Sequence, residues 1–228
     1  MGNSLDDIAV WKVSNKAIVV NPEHGVISKI QQLKNVQTVI TERSNQIRVY
    51  AKAMRLHQWA KNTLIFVPLL AAHQILELGK LADGLFAFLF FGLCASGTYL
   101  INDLLDIPHD RHHPTKKNRP IPAGLMSIKH AVMLAPALCG TSLLFSVIFL
   151  PPLFTLCLGA YIALTIIYSL YLKRVLFVDV ITLAFLYNLR IVAGVAVFDV
   201  RLSFWLLALS TFAFLSLALV KRYTELIS

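Results

Sequence analysis

Residues 85–124 read LFAFLFFGLCASGTYLI followed directly by NDLLDIPHDRHHPTKKNRPIPAG, and the junction between these two halves decides the fold. The first half carries no charge, as a segment inside a bilayer must: an ionised side chain at the membrane centre costs roughly 2.5–3.5 kcal/mol on insertion scales. The second half is a dense run of carboxylates and bases. Asn102, Asp103, Asp106 and Asp110 are spaced so that a helix would bring them onto one face. Three carboxylates so close repel one another unless a cation neutralises them. The natural cation is magnesium, which takes oxygen ligands and is usually held by one or two carboxylates plus substrate phosphates. Pro108 removes a backbone donor and should kink the helix, tilting Asp110 toward the mouth of a cavity. Prolines 114, 120 and 122 stiffen the loop beyond, so that Lys116 and Arg119 can be held over phosphate oxygens. The stretch reads as the mouth of a membrane-embedded, diphosphate-handling site.

The whole chain agrees with a membrane setting. It is 57% apolar and 14% charged, against about a quarter charged in ordinary soluble domains. Apolar runs fall at 62–75, 81–101, 127–150, 152–172, 175–197 and 203–220. Six spans are expected, the first short and interrupted by Pro68. A net charge of +9 raises the question of nucleic acid, but the bases sit in loops between apolar runs and no groove-reading motif accompanies them. Lys52, Arg55, Lys61, Arg111, Lys116, Lys117, Arg119, Lys129, Lys173, Arg174, Lys221 and Arg222 fall on one side, and only Lys80 and Arg201 on the other. That asymmetry places the amino terminus and the Asp-rich loop in the cytoplasm of a multi-pass inner-membrane protein. Cys94, Cys139 and Cys157 fall inside apolar runs and read as small buried hydrophobes. His109, His112 and His113 lack a fourth ligand at zinc spacing and read as loop residues.

Residues 1–45 differ in character. Ala17–Val20 and Val36–Ile40 are strand-like, with helical spacing over Ile27–Leu33 between them. This is one α/β unit, too small to hold a large core. Within the fifth apolar run, Asp179 and Arg190 should face the bundle interior. They lie about three turns apart, on one face without touching, in a structural role or against substrate.

The pattern N-D-x-x-D-x-x-x-D followed by H-P-x-K-x-x-R-P-I resembles the first signature of the UbiA superfamily of intramembrane prenyltransferases. RLHQWAKN at 55–62 and Tyr168-Ser169 with Lys173-Arg174 resemble that family too. The resemblance covers about residues 50–228. It implies an all-α, polytopic UbiA-like transmembrane bundle over residues 46–228, with about six of nine helices present and the chain cut short at its carboxyl end. It implies that Asp103, Asp106 and Asp110 bind Mg2+ carrying a diphosphate leaving group. Asn102, Lys116 and Arg119 would sit in the diphosphate shell, and Lys61 and Asn62 would point toward the same cavity. Lys173 and Arg190 join them as expected substrate contacts.

Family members that prenylate aromatic rings carry a second Asp-rich motif after the sixth span. Here that place reads Lys221-Arg222-Tyr223-Thr224-Glu225. With HQWAKN, it resembles the branch that moves phosphoribosyl from phosphoribosyl diphosphate to a polyprenyl phosphate. Glu225 would hold a second metal ion weakly, and Lys221 and Arg222 suit a 5-phosphate or a lipid phosphate, or serve as positive-inside anchors. The implied partners are a polyprenyl lipid, a diphosphate-bearing small molecule and the bilayer, and no nucleic acid. Gly2–Trp11 resembles the last motif of haloacid-dehalogenase-like phosphatases, G-D-S-x-x-D-I-P-V-W, with Asn3 in place of the usual aspartate. The D-x-D nucleophile is absent from the sequence, so residues 1–45 read as an inactive remnant of such a domain. The expected function is a magnesium-dependent transferase. Prenyl transfer to an aromatic acceptor, a membrane transporter and an inactive fragment are the alternatives.

Overall fold

The computed structural model describes residues 7–20, 26–30, 33, 35–40 and 45–227. The chain divides into two compact units, Met1–Gln46 and Ile47–Ser228. In the first, α1 (Ile8–Val13) leads into β1 (Ala17–Val20), α2 (Val26–Ile30) and β2 (Val36–Ile40). The two strands pair in parallel, Ile18 opposite Thr38 and Val20 opposite Ile40, with an irregularity between Ala17 and Ile18. Trp11, Ala17, Val19, Val26 and Ile30 form a small core. Asn35 ties the end of α1 to the turn before β2, donating from its amide to the carbonyls of Trp11 and, at 2.7 Å, Ser14. Residues 1–6, which hold half of the Gly2–Trp11 motif, and residues 31–32 of the expected helical stretch lie outside the described residues.

The second unit is a helical bundle. Among the described residues five helices are long and apolar enough to cross a membrane. They lie in α5 (Leu78–Leu105), α7 (Ile128–Phe149), α8 (Pro152–Leu170), α9 (Leu176–Phe198) and α10 (Phe204–Ile227). The helix α5 is the axis, and its small residues let neighbours approach closely. A Cβ on Gly97 would come within 2.8 Å of the Ala135 carbonyl oxygen of α7, and one on Gly92 within 2.7 Å of the Trp59 ring. Opposite, Ala131, Ala135, Cys139, Ser142 and Ser146 form the buried stripe of α7, and the Ser142 hydroxyl donates to the Phe90 carbonyl at 2.8 Å. The rest of α7, including Val132, Leu144 and Ile148, presents an exposed apolar surface suited to lipid. Cys94, Cys139 and Cys157 are free thiols buried in these helices.

The expected first span over 62–75 is corrected by the structure. After the short helix α3 (Gln46–Ala53), a 3-10 helix runs Leu56–Phe66 and passes into the one-turn α4 (Val67–Ala71). Left-handed residues Arg55 (φ 51°) and His73 (φ 58°) bracket the segment. Pro68 falls in the first turn of α4, where its missing N–H costs nothing. Ile65 and Leu69 are fully buried, and the segment packs against α5 and α9. Part of its apolar surface, Ile65 and Leu69 above all, fills the bundle, while Leu56 and Leu70 are exposed, a distinction that hydropathy alone does not draw.

Gly194 makes this possible, because a Cβ there would run into the Ile65 carbonyl. Gly194→Ala should destabilise the bundle by about 1–3 kcal/mol. Gly140, whose Cβ would meet nothing within 4 Å, is the matched control: Gly140→Ala should be neutral or stabilising by up to about 1 kcal/mol. Thermal unfolding of both variants in detergent checks the pair. Equal melting points would mean that the contact at Ile65 does not set the stability.

Candidate active site

The helix α5 ends at Leu105 and a second, short helix, α6 (Ile107–His112), begins beyond it with Pro108 in its first turn. Asp106 caps both, at φ −95° and ψ 2°. The acidic residues therefore do not share one face of one helix. Proline restarts the helix at a new angle, and the carboxylates diverge. Asp103 and Asp110, both buried, converge on Arg119, whose Nη1 lies 3.1 Å from Asp103 Oδ1 and 2.6 Å from Asp110 Oδ2. Arg55 donates to the same oxygen of Asp103. Asp106 turns to the other side, where Lys173 Nζ lies 2.5 Å from its Oδ1. Beside it the Ser169 hydroxyl donates to Asn102 Oδ1 at 2.9 Å.

These groups border a cavity of about 680 Å³. Its lining includes seven cations, Arg55, Lys61, Lys116, Arg119, Lys173, Arg190 and Arg222, against two carboxylates, Asp106 and Asp179. The Tyr168 hydroxyl donates to Asp179 Oδ1 at 2.6 Å, and Arg222 Nη1 stands 4.0 Å from Oδ2 of the same residue. Farther along α9, Arg190 donates to Asn62 Oδ1 (3.1 Å), the Leu186 carbonyl (2.6 Å) and the Tyr161 hydroxyl (3.2 Å). So strong an excess of positive charge, enclosed by low-dielectric walls, makes the cavity a receptor for anions.

Eight of the sequence-derived candidates line this cavity: Lys61, Asn102, Asp106, Lys116, Arg119, Lys173, Arg190 and Arg222. Asp103 and Asp110 lie behind Arg119, outside the lining, so Asp110 is not tilted toward the mouth. The side chains of Lys221 and Glu225 lie outside the described residues. The sequence reading did not single out Arg55, Gln58, Tyr99, Tyr161 or Tyr187, all of which line the cavity. Arg55 had a signal, since it opens the RLHQWAKN stretch. The tyrosines had none, being lost among the apolar residues of α5, α8 and α9.

Among the described residues no three acidic, histidine or cysteine side chains are close enough to form a ready-made metal cage. Magnesium needs none, since one or two carboxylates with waters and substrate phosphates suffice. The Asp106 carboxylate and the Asn102 amide oxygen share the cavity with Lys116, Arg119 and Lys173. These hard oxygen donors beside phosphate-binding cations fit a magnesium ion that arrives with a diphosphate.

Comparison with known proteins gives a consistent picture. Residues 63–225 match the model of the UbiA prenyltransferase family. The chain is 39% identical over 237 residues to an uncharacterized protein, y4nM, of Sinorhizobium fredii, covering 98% of this chain and 43% of that protein. It is 36% identical over 179 residues to a decaprenyl-phosphate phosphoribosyltransferase of Corynebacterium glutamicum, covering 77% of this chain and 54% of that one. The chain thus spans about half the length of the curated relatives it matches. In fold it resembles a solved UbiA homolog from Archaeoglobus fulgidus bound to DMAPP and Mg2+, with a TM-score of 0.62 at 20% identity, over 74% of this chain and 60% of that one. Helices of membrane-crossing length, the broken Asp-rich segment and the family match over most of the bundle lead to one conclusion: this chain is an integral membrane protein belonging to the UbiA prenyltransferase family.

Proposed function

We propose that the cavity serves a magnesium-dependent transferase that ionises a diphosphate substrate, moving phosphoribosyl from phosphoribosyl diphosphate to a polyprenyl phosphate. The observation that carries this reading is the surplus of cations around Asp106 and Asn102. The name of the Corynebacterium relative supports the choice of donor and acceptor.

In this scheme Lys116, Arg119 and Lys173 hold the diphosphate oxygens. The bond from C1 of ribose to the diphosphate oxygen breaks as an oxygen of the lipid phosphate bonds to C1. Negative charge grows on the leaving group, and cations already in place stabilise it without reorganising. Asp106 and Asn102 would hold magnesium, which when bound supplies Lewis-acid polarisation of the leaving diphosphate. Asp103 and Asp110 fix Arg119 and Arg55 and, with Asp106, would complete the carboxylate set for the metal. Lys61, Arg190 and Arg222 bind the remaining substrate groups, with Lys221 beside them in sequence and Glu225 as a ligand for a second metal ion. The excess of bases around the Asp-rich loop supports a cytoplasmic setting for that loop and the amino terminus. Residues 1–45 we take as the closing part of a haloacid-dehalogenase-like phosphatase fold.

Asp106→Asn should lower transfer by about 100-fold or more, the scale seen when a preorganised electrostatic group is removed. The melting point should hold, because Asp106 and Lys173 are both partly solvated and such pairs add little stability. A transfer assay on membranes carrying the protein, paired with thermal unfolding, measures both. Undiminished magnesium-dependent transfer would remove Asp106 from the mechanism.

The donor is settled separately. Prenyl transfer to an aromatic acceptor is the competing reading. Radiolabelled phosphoribosyl diphosphate with a polyprenyl phosphate should yield labelled lipid. Label transferred only from a prenyl diphosphate to an aromatic acid would overturn the phosphoribosyl assignment.

A further inference from the structure

The cavity has a second pole, chemically unlike the Asp-rich mouth. Arg190 is only 4% exposed, and every partner it has is neutral: Asn62, the Leu186 carbonyl and the Tyr161 hydroxyl. Its guanidinium also lies 5.0–5.7 Å from the ring centres of Tyr161, Phe91 and Tyr187. Lys61 Nζ stands 5.4 Å over the ring of Tyr187 from the other element. Among the described residues no carboxylate lies within 4 Å of either cation. An arginine cannot shed its proton, and a buried charge is stable only when paired. Rings and neutral acceptors compensate only part of it. Beside them Asn62, 1% exposed, gives its oxygen to Arg190 and leaves its amide Nδ2 without any hydrogen-bond partner.

Lys61, Arg190 and the Asn62 amide are donors, and no acid stands among them to hold a metal. Two full positive charges with additional donors match a tetrahedral dianion. We propose that this pole is a metal-free binding site for a phosphate monoester, separate from the diphosphate held at the mouth. The inference depends on the proposed function only in taking the cavity as the substrate chamber. It adds that, besides the diphosphate held with metal, one of the substrates' two phosphate monoesters is bound by Lys61 and Arg190 without metal. The monoester is the lipid acceptor's phosphate or the 5-phosphate of the ribosyl donor.

The test is direct titration of the purified protein in detergent with EDTA present, using farnesyl phosphate and ribose 5-phosphate. Farnesol, ribose and 4-hydroxybenzoate serve as comparisons. At least one phosphate monoester should bind without metal, and Lys61→Gln and Arg190→Gln should each weaken it by about tenfold or more, the scale of one charged hydrogen bond. Farnesol or ribose binding should not change. Farnesyl phosphate as the bound ester assigns the site to the acceptor, and ribose 5-phosphate assigns it to the donor. Failure of both esters to bind, equal weakening of the uncharged counterparts, or preference for 4-hydroxybenzoate would overturn the proposal. If Arg190→Gln does not fold, Lys61→Gln, at a partly exposed position, decides alone. Magnesium pyrophosphate, titrated in parallel without EDTA, keeps the two readings apart. Its failure to bind the unaltered protein would defeat the transferase mouth and leave the monoester site standing.

Discussion

Two buried carboxylates share one guanidinium at the mouth of the bundle, and the arrangement of the substrate-facing residues follows from that triad. Asp103 and Asp110 are 2% and 3% exposed. Removing a partner from such a buried charge costs about 3–5 kcal/mol, so Arg119 is obligatory where it stands. Holding it there folds the proline-stiffened loop back onto the end of α5 and brings Lys116 to the cavity. Arg55, bound to the same Asp103 oxygen, fixes the start of the 3-10 helix. The three acids thus divide by the contacts they make. Asp103 and Asp110 bind the loop to the helix, and Asp106 alone of the three lines the cavity.

The deep end depends on a second constraint, a glycine. On α9, Gly194 follows Arg190 by one turn and lies on the same face. Having no side chain there, α9 admits the Ile65 carbonyl against its backbone. Three residues earlier in the 3-10 helix, Asn62 then meets Arg190. A regular span over 62–75 would have turned these residues through a helical period and placed them against lipid in part. The short, tightly wound segment delivers Lys61 and Asn62 to the interior instead, and its unusual length for a 3-10 helix coincides with the cavity wall it builds.

Much of this was legible beforehand. The strands at Ala17–Val20 and Val36–Ile40 fall where their strand-like, β-branched runs placed them, and the five long helices follow from apolar runs of bilayer length. The 62–75 run was misread because mean apolarity does not distinguish lipid from protein interior, although its shortness and Pro68 hinted at the difference. Pro108 did announce the break after α5. The side on which each carboxylate would land was not legible, since Asp103 meets an arginine 48 residues away that depends on a left-handed backbone at Arg55. Tyr161 and Tyr187 escaped notice for a related reason. Within an apolar helix a tyrosine reads as another hydrophobe until the fold shows what its ring and hydroxyl touch.

The electrostatics of the deep end also bear on the choice between donors. An allylic cation is stabilised by electron-rich ring faces held away from other positive charge. Here the rings of Phe91, Tyr161 and Tyr187 already face Arg190, and Lys61 shares Tyr187. A carbocation formed beside them would compete with two fixed cations for the same faces and be repelled by both. An anion would relieve that repulsion and complete the pairing that a buried arginine requires. A substrate pair with phosphate at both ends of the cavity fits this charge distribution. The deep end thus favours a substrate that brings an anion to it, as the proposed transfer to a lipid phosphate does.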